Sequence, residues 1–268
     1  MRRDLRQQRL LVTGASSGIG RQVAEQAARR GARVMLVARS SDKLDEAVRT
    51  LRAEGCDVLS HTADVTSPAD RQGLVDAVKA QWGGLDVLFN VAGVSSFGHF
   101  LSGTEDVLRK IMEVNFFAPA EMMRICFPLL KDGNNPAVVN VASMCGRRAL
   151  PAFGEYSASK FALVGLTEAL RAEAVLHKVR FLLVLPGLTK TGLGATLLRN
   201  EGKMPLNFDD GMPVEEVGRG IIDALVRDRT ETIMGWESHW ILWMTRFFPR
   251  FVDWVIARRV RRLYAGSK

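Results

Sequence analysis

Residues 9–20 read Arg-Leu-Leu-Val-Thr-Gly-Ala-Ser-Ser-Gly-Ile-Gly. Five residues of strand character, Arg9 to Thr13, run into a turn that carries Gly14, Gly18 and Gly20, and a helical pattern follows. A glycine-rich turn in this place lets the backbone fold tightly and approach a pyrophosphate, which then rests on the positive end of the helix. Glycine clusters also make plain turns. The position of this one, straight after a first strand, is what points to a dinucleotide held by Gly14, Ser16, Ser17, Gly18, Ile19 and Gly20.

The same alternation continues along the chain. Short apolar runs at 9–13, 33–38, 57–60, 85–91, 137–142, 179–185 and 231–235 are separated by helical patterns at about 18–30, 41–54, 68–82, 104–130, 156–176 and 213–228. Runs that are apolar nearly throughout suit parallel strands buried on both faces. Strand, helix, strand in repetition implies right-handed crossovers. The expected fold is therefore α/β, a Rossmann-type doubly wound parallel sheet of about seven strands with a C-terminal helical extension. Residues 1–235 form the expected nucleotide-binding domain, and 236–268 a basic, Trp-rich extension of it. The segment 189–212, with Gly192, Gly194, Gly202, Pro205 and Gly211, is long and irregular, as functional lids and poorly ordered segments are.

Composition narrows the class. The chain has 268 residues, 47% hydrophobic and 25% charged, which excludes low-complexity and disordered proteins. Cys56, Cys126 and Cys145 are too few and scattered for a disulfide framework, so a reducing, cytoplasmic setting is expected. His61, His99, His177 and His239 have no metal-ligand spacing, and no metal is expected. No run approaches the ~18 apolar residues of a spanning helix, and the N-terminal run is too short for a signal peptide.

The net charge of +8 is unevenly placed. Residues 2–9 hold four Arg against one Asp, and 246–268 hold six Arg and one Lys against one Asp. That leaves the rest of the chain at −1. Two basic ends on a near-neutral body do not describe a nucleic-acid binder.

The glycine spacing departs from the G-x-G-x-x-G of larger dehydrogenases, and Thr-Gly-x-x-x-Gly-Ile-Gly resembles the short-chain dehydrogenase/reductase family. Further matches follow in that family's order: Asn90-Val91-Ala92-Gly93 after the fourth strand, Asn115, and Ser143 at the end of the fifth strand. Tyr156-Ser157-Ala158-Ser159-Lys160 opens the next helix and Pro186-Gly187 ends the sixth strand. The resemblance covers roughly residues 8–235 and departs at Val91, where the family more often has Asn. It implies that Asn90, Ala92, Gly93, Pro186 and Gly187 border the cofactor and that Asp64-Val65 contact the adenine. It also implies that Thr189 and Thr191 meet the nicotinamide and phosphate. Asn115 takes a backbone-distorting, water-holding role that links Lys160 to solvent.

The chemistry can be argued beside the resemblance. Reducing a ketone needs a hydride donor and a proton donor. A free tyrosine, with a pKa of ~10, is too weak an acid to exchange protons readily near neutrality. Tyr156 and Lys160 are four apart on one helical face, so the ammonium, with an oxidised nicotinamide, should lower that pKa. Ser143 can hold the carbonyl oxygen beside the phenol. Asn115, Ser143, Tyr156 and Lys160 are the expected catalytic residues, with Tyr156 and Lys160 also on the cofactor. Each alone has a bland reading as a surface or capping residue.

The end of the second strand, Leu36-Val37-Ala38-Arg39-Ser40, lacks the carboxylate that takes a ribose 2′-hydroxyl in NAD enzymes of this fold. Arg39 instead suits a 2′-phosphate, so NADP(H) is expected over NAD(H). Cys145 reads as a small pocket-lining residue, Arg147 and Arg148 as solvated charge, and Phe97, His99 and Phe100 as the pocket border.

The expected activity is NADP(H)-dependent interconversion of a ketone and a secondary alcohol, on a hydrophobic or lipid-like substrate, by a homodimer or homotetramer. A non-catalytic nucleotide-binding protein on the same fold is the rival. In the extension, Trp236, Trp240, Trp243 and Phe247 recur at helical spacing. After Pro249, Val252, Ile256, Val260 and Leu263 form a stripe opposite Arg258, Arg259, Arg261 and Arg262, with Asp253 as a flaw. The helices either pack on the body or a second subunit, or lie peripherally on an anionic membrane.

Overall fold

The seven apolar runs become seven strands: β1 (Arg9–Thr13), β2 (Arg33–Ala38), β3 (Val58–Thr62), β4 (Val87–Asn90), β5 (Ala137–Val141), β6 (Arg180–Pro186) and β7 (Glu231–Met234). In the computed structural model, which describes residues 2–191, 197–204, 207 and 210–264, they form one sheet in the order β3-β2-β1-β4-β5-β6-β7. Every pair is parallel. Gly192, Gly194 and Pro205 of the irregular segment lie outside the described residues.

Side chains alternate between the faces of each strand, and both faces are covered. Leu10, Val12, Leu36, Phe89, Val139 and Val184 pack under α1 (Gly18–Ala28), α2 (Ser41–Ala53) and α7 (Val214–Val226). Leu11, Met35, Leu88, Val138 and Leu183 face the opposite layer of α3 (Pro68–Trp82), α5 (Ala118–Leu130) and α6 (Gly154–Glu173). Two buried faces account for strands that are apolar throughout rather than alternating.

The single helix expected over 104–130 is in fact three pieces. α4 (Glu105–Met112) and α5 are separated by a π-helical turn, Glu113–Phe117. Pro119 supplies a reason: it has no N–H to donate to the carbonyl of Asn115, four residues back. The widened turn carries Asn115, which is wholly buried.

The N-terminal basic end is not a cationic arm. Arg3 is buried and donates to Gln8 Oε1 at 3.3 Å and to the Asn135 carbonyl. Burial lowers its pKa to about 10. Arg9 forks onto Asp86 at 2.7 and 3.0 Å, and Arg6 pairs with Asp4. The extension forms α8 (Trp236–Phe247) and α9 (Pro249–Tyr264). Val252, Ile256, Val260 and Leu263 are half-buried. Asp253 pairs with Arg148 at 2.6 Å, so the apparent flaw in the stripe ties α9 to the loop after Ser143.

Candidate active site

Parallel strands deliver their following loops to one edge of the sheet, and the β1, β4, β5 and β6 loops meet there. Gly14 has φ +70°, and a Cβ on it would lie 2.8 Å from the Ala92 backbone. A Cβ on Gly20 would come within 2.2 Å of the Gly14 carbonyl oxygen. Only glycine fits at either position. Thr13, which the sequence reading gave no role, knits these loops together. Its hydroxyl donates to the Phe89 carbonyl at 3.1 Å and accepts from the N–H groups of Val91 and Ala92 at 3.0 and 3.3 Å. Ser17 makes no side-chain cap on α1, and no acidic residue sits in that first turn. The positive helix end and the glycine cradle beside it fit a pyrophosphate.

The opposite wall comes from β6. Thr189 donates to the Gly187 carbonyl at 3.1 Å, and the Thr191 methyl lies 3.6 Å from where a Gly18 Cβ would stand. Asn90 Nδ2 donates to Asn140 Oδ1 at 2.9 Å, and Asn140 in turn donates to Thr167 Oγ1 at 2.9 Å. Buried Asn90 Oδ1 has no hydrogen-bond partner among the described residues, which leaves an acceptor for a ligand. At the far end of the cleft, Arg39 is exposed after β2 and Asp64 follows β3. Burial works against the Asp64 carboxylate, but hydrogen bonds from Thr66 at 2.9 and 2.7 Å and the charges of Arg39 and Lys110 outweigh it and hold its pKa below the usual value. The Val65 carbonyl accepts from Arg71 at 2.8 Å, fixing that turn.

Ser143, Tyr156, Lys160 and Asn115 come together over the ends of β4 and β5. Ser143 stands beside the Tyr156 phenol, and its hydroxyl accepts from the Cys145 N–H at 3.1 Å and donates to the Pro186 carbonyl at 3.5 Å. Lys160 Nζ lies 5.7 Å from the Tyr156 ring centre and donates to the Val141 carbonyl at 3.1 Å. Asn115 Oδ1 accepts from the Val94 N–H at 2.9 Å, and its Nδ2 donates to the Val94 carbonyl and to Ser159 Oγ at 2.9 and 3.0 Å. The amide therefore fixes the loop after β4 against α6, and both its oxygen and the Lys160 ammonium border Gly93.

The protein's own groups act on the Tyr156 phenol in the direction opposite to the lowering expected from Lys160 and an oxidised nicotinamide together. Burial, aided by nearby Cys145, pushes the phenol above its ordinary value despite the opposing pull of the Ser143 hydroxyl. Burial also brings Lys160 down to about 8. The resting site thus holds the phenol protonated, the form a proton donor needs.

Other residues fall into place less directly. Burial raises the Cys145 thiol to about 11, which makes it a poor nucleophile at neutral pH. Arg147 pairs with Glu168 and Glu231 rather than standing solvated. Phe97 is buried with its ring 5.0 Å from Phe153, itself 6.2 Å from Tyr156, whereas Phe100 is exposed. The sequence reading missed Glu155, a carboxylate only 2% exposed beside Tyr156. It accepts from Ser96 Oγ at 3.2 Å and faces Arg199 at 3.7 Å.

The short chain dehydrogenase family model matches residues 8–202. The chain is 35% identical over 231 residues to the human dehydrogenase/reductase SDR family member 4, a match spanning 84% of this chain and 83% of that protein. A short chain dehydrogenase/reductase from Burkholderia phymatum, solved in complex with NAD, superposes with a TM-score of 0.83 at 28% identity, covering 94% of this chain and 96% of that one. A short chain dehydrogenase from Burkholderia cenocepacia J2315, in complex with NADP, gives 0.81 at 28% identity, covering 95% and 99%. With the glycine cradle, the parallel sheet and most of its length matched, the chain belongs to the short-chain dehydrogenases.

Proposed function

We propose that this oxidoreductase interconverts a ketone and a secondary alcohol with NADP(H), with Tyr156 as the proton donor and acceptor. The observation that carries the reading is the convergence of Tyr156, Lys160 and Asn115 beside Gly93, with the Lys160 ammonium 5.7 Å from the Tyr156 ring centre and the phenol kept protonated by burial. The bound nicotinamide supplies or accepts the hydride. Ser143 positions the carbonyl oxygen, Tyr156 gives it a proton, and Lys160 with Asn115 steadies the phenol from behind. The cofactor is NADP(H) because exposed Arg39, with no carboxylate at the end of β2, can meet a 2′-phosphate. The substrate is apolar, the protein intracellular and its working form a homo-oligomer. Three free cysteines support the reducing compartment.

NADPH consumption against ketones of rising chain length tests the activity. Tyr156→Phe should lower kcat by ~10²–10⁴-fold, the usual contribution of a positioned acid, with NADPH affinity measured by fluorescence nearly unchanged. Substantial turnover in that variant defeats the assignment. Arg39→Asp should repel the 2′-phosphate and move the ratio of kcat/KM values toward NADH. Equal use of both cofactors by the wild-type enzyme defeats the Arg39 argument.

A further inference from the structure

Eight of the large apolar side chains exposed among the described residues lie on α8, α9 and the junction between them. Trp236, Trp240, Trp243 and Phe247, all 49–72% exposed, recur along one side of α8. Phe248 and then Phe251 and Trp254 of α9 carry the surface onward. Trp243 touches Phe247 and Phe248, with ring centres 5.2 and 6.0 Å apart, so the aromatic band is continuous across the turn. The partly buried stripe of α9 faces elsewhere, which leaves this band turned away from the fold.

Cations flank the band. Arg246, Arg250, Arg258, Arg259, Arg261 and Arg262 are all exposed, and none has an ion-pair partner among the described residues. Arg258 lies over the Trp254 ring at 5.3 Å. A second copy seated face to face here would set these arginines against one another, whereas an anionic partner would be attracted to them. Aromatic rings that bury beside free guanidinium groups match the interface of an anionic bilayer. Among the described residues no helix is long and apolar enough to cross a membrane, so the proposed contact is in the plane of the surface.

We propose that α8 and α9 form a docking face for anionic lipid. The face is tied to the site at two points. Ser238 of α8 packs on Gly187 at the end of β6, and Asp253 of α9 pairs with Arg148 in the loop after Ser143. Docking therefore holds the loops after β5 and β6 close to the bilayer, which would supply an apolar ketone; that last clause rests on the oxidoreductase reading.

The tryptophans supply their own probe. Trp82 is buried and the other four, Trp236, Trp240, Trp243 and Trp254, are all in the docking face. With vesicles of phosphatidylcholine and phosphatidylglycerol at low salt, the full chain should co-sediment and its emission should shift to the blue. With phosphatidylcholine alone, or at high salt, both effects should largely vanish. Replacing Arg258, Arg259, Arg261 and Arg262 by Gln should weaken anionic vesicle binding on the order of a thousandfold. Trp240→Ser with Trp243→Ser should weaken it even at low salt. Absence of wild-type binding overturns the proposal, as does equal binding to neutral vesicles. So does a shift from dimer to monomer by light scattering in the Trp variants without loss of vesicle binding. Turnover of a water-soluble ketone is measured separately: its absence counts against the oxidoreductase reading and leaves the docking result standing.

Discussion

Lys160 carries its ammonium into a site where it is 4% exposed. Burial brings its pKa from 10.5 to about 8, which corresponds to about 3 kcal/mol against the folded state at neutral pH. Between about pH 8 and 10.5 the unfolded chain holds more protons at this position, so its contribution to stability improves as pH rises. Lys160→Met should raise the melting temperature at pH 7, with a net gain of about 1–2 kcal/mol once the orphaned Val141 carbonyl is counted, while turnover is lost. Thermal unfolding at pH 7 and 9.5 checks it: the advantage of the variant should shrink at the higher pH. Tyr156 and Lys160 stood out in the sequence because they are four apart on one helical face, and Ser143 and Asn115 because they fall in the motif order of the short-chain dehydrogenases. Glu155, Asn140 and Thr167 were not. A lone buried carboxylate or amide reads in a sequence as surface polarity, since the partner that justifies its burial lies far along the chain.

At the scale of elements, the irregular segment after β6 is fastened rather than loose where it is described. The Phe97 N–H donates to the Arg199 carbonyl at 2.8 Å, and the Leu198 and Gly202 N–H groups donate back to Ser95 and Phe97 at 2.9 and 3.0 Å. The Arg199 guanidinium donates to the His99 carbonyl and Ser102 Oγ at 2.8 and 2.7 Å and faces Glu155, at the start of the catalytic helix. Removing one member of a buried pair strands the other, at about 3–5 kcal/mol. Arg199→Met should therefore lower stability by about 3 kcal/mol and raise KM more than it lowers kcat. Adding Glu155→Gln should recover part of the loss, which a double-mutant cycle measures. Additivity of the two changes would show the pair does not act as a unit. The strands and most helices were legible because runs buried on both faces leave an unbroken apolar record. The break at Glu113–Phe117 was not, since the periodicity of 104–130 hides what Pro119 does to the backbone. The attachment of Arg199 was likewise invisible, because its partners lie about 45 and 100 residues away in sequence.

Across the whole molecule, charge and layering divide the labour. Arg3 and Arg9 of the N-terminal basic end are taken up by interior partners, and the C-terminal arginines face outward on α8 and α9. The number of strands and the parallel sheet were readable from the order of short and long patterns, but the different fates of the two basic ends were not, because composition cannot distinguish a buried guanidinium from a free one. The first layer also joins the start of the chain to α7, the last helix before β7. Gln22 of α1 packs against Gly218 of α7, and the Arg3 N–H donates to the Val226 carbonyl at 2.9 Å. This pairing has a consequence during synthesis. At ~5–20 residues per second, roughly 10–40 s separate the emergence of α1 from that of α7. Through that interval the apolar side of α1, with Val23, Ala24 and Ala27, lacks its cover on the ribosome, and a holding chaperone that binds the nascent N-terminus would find it there.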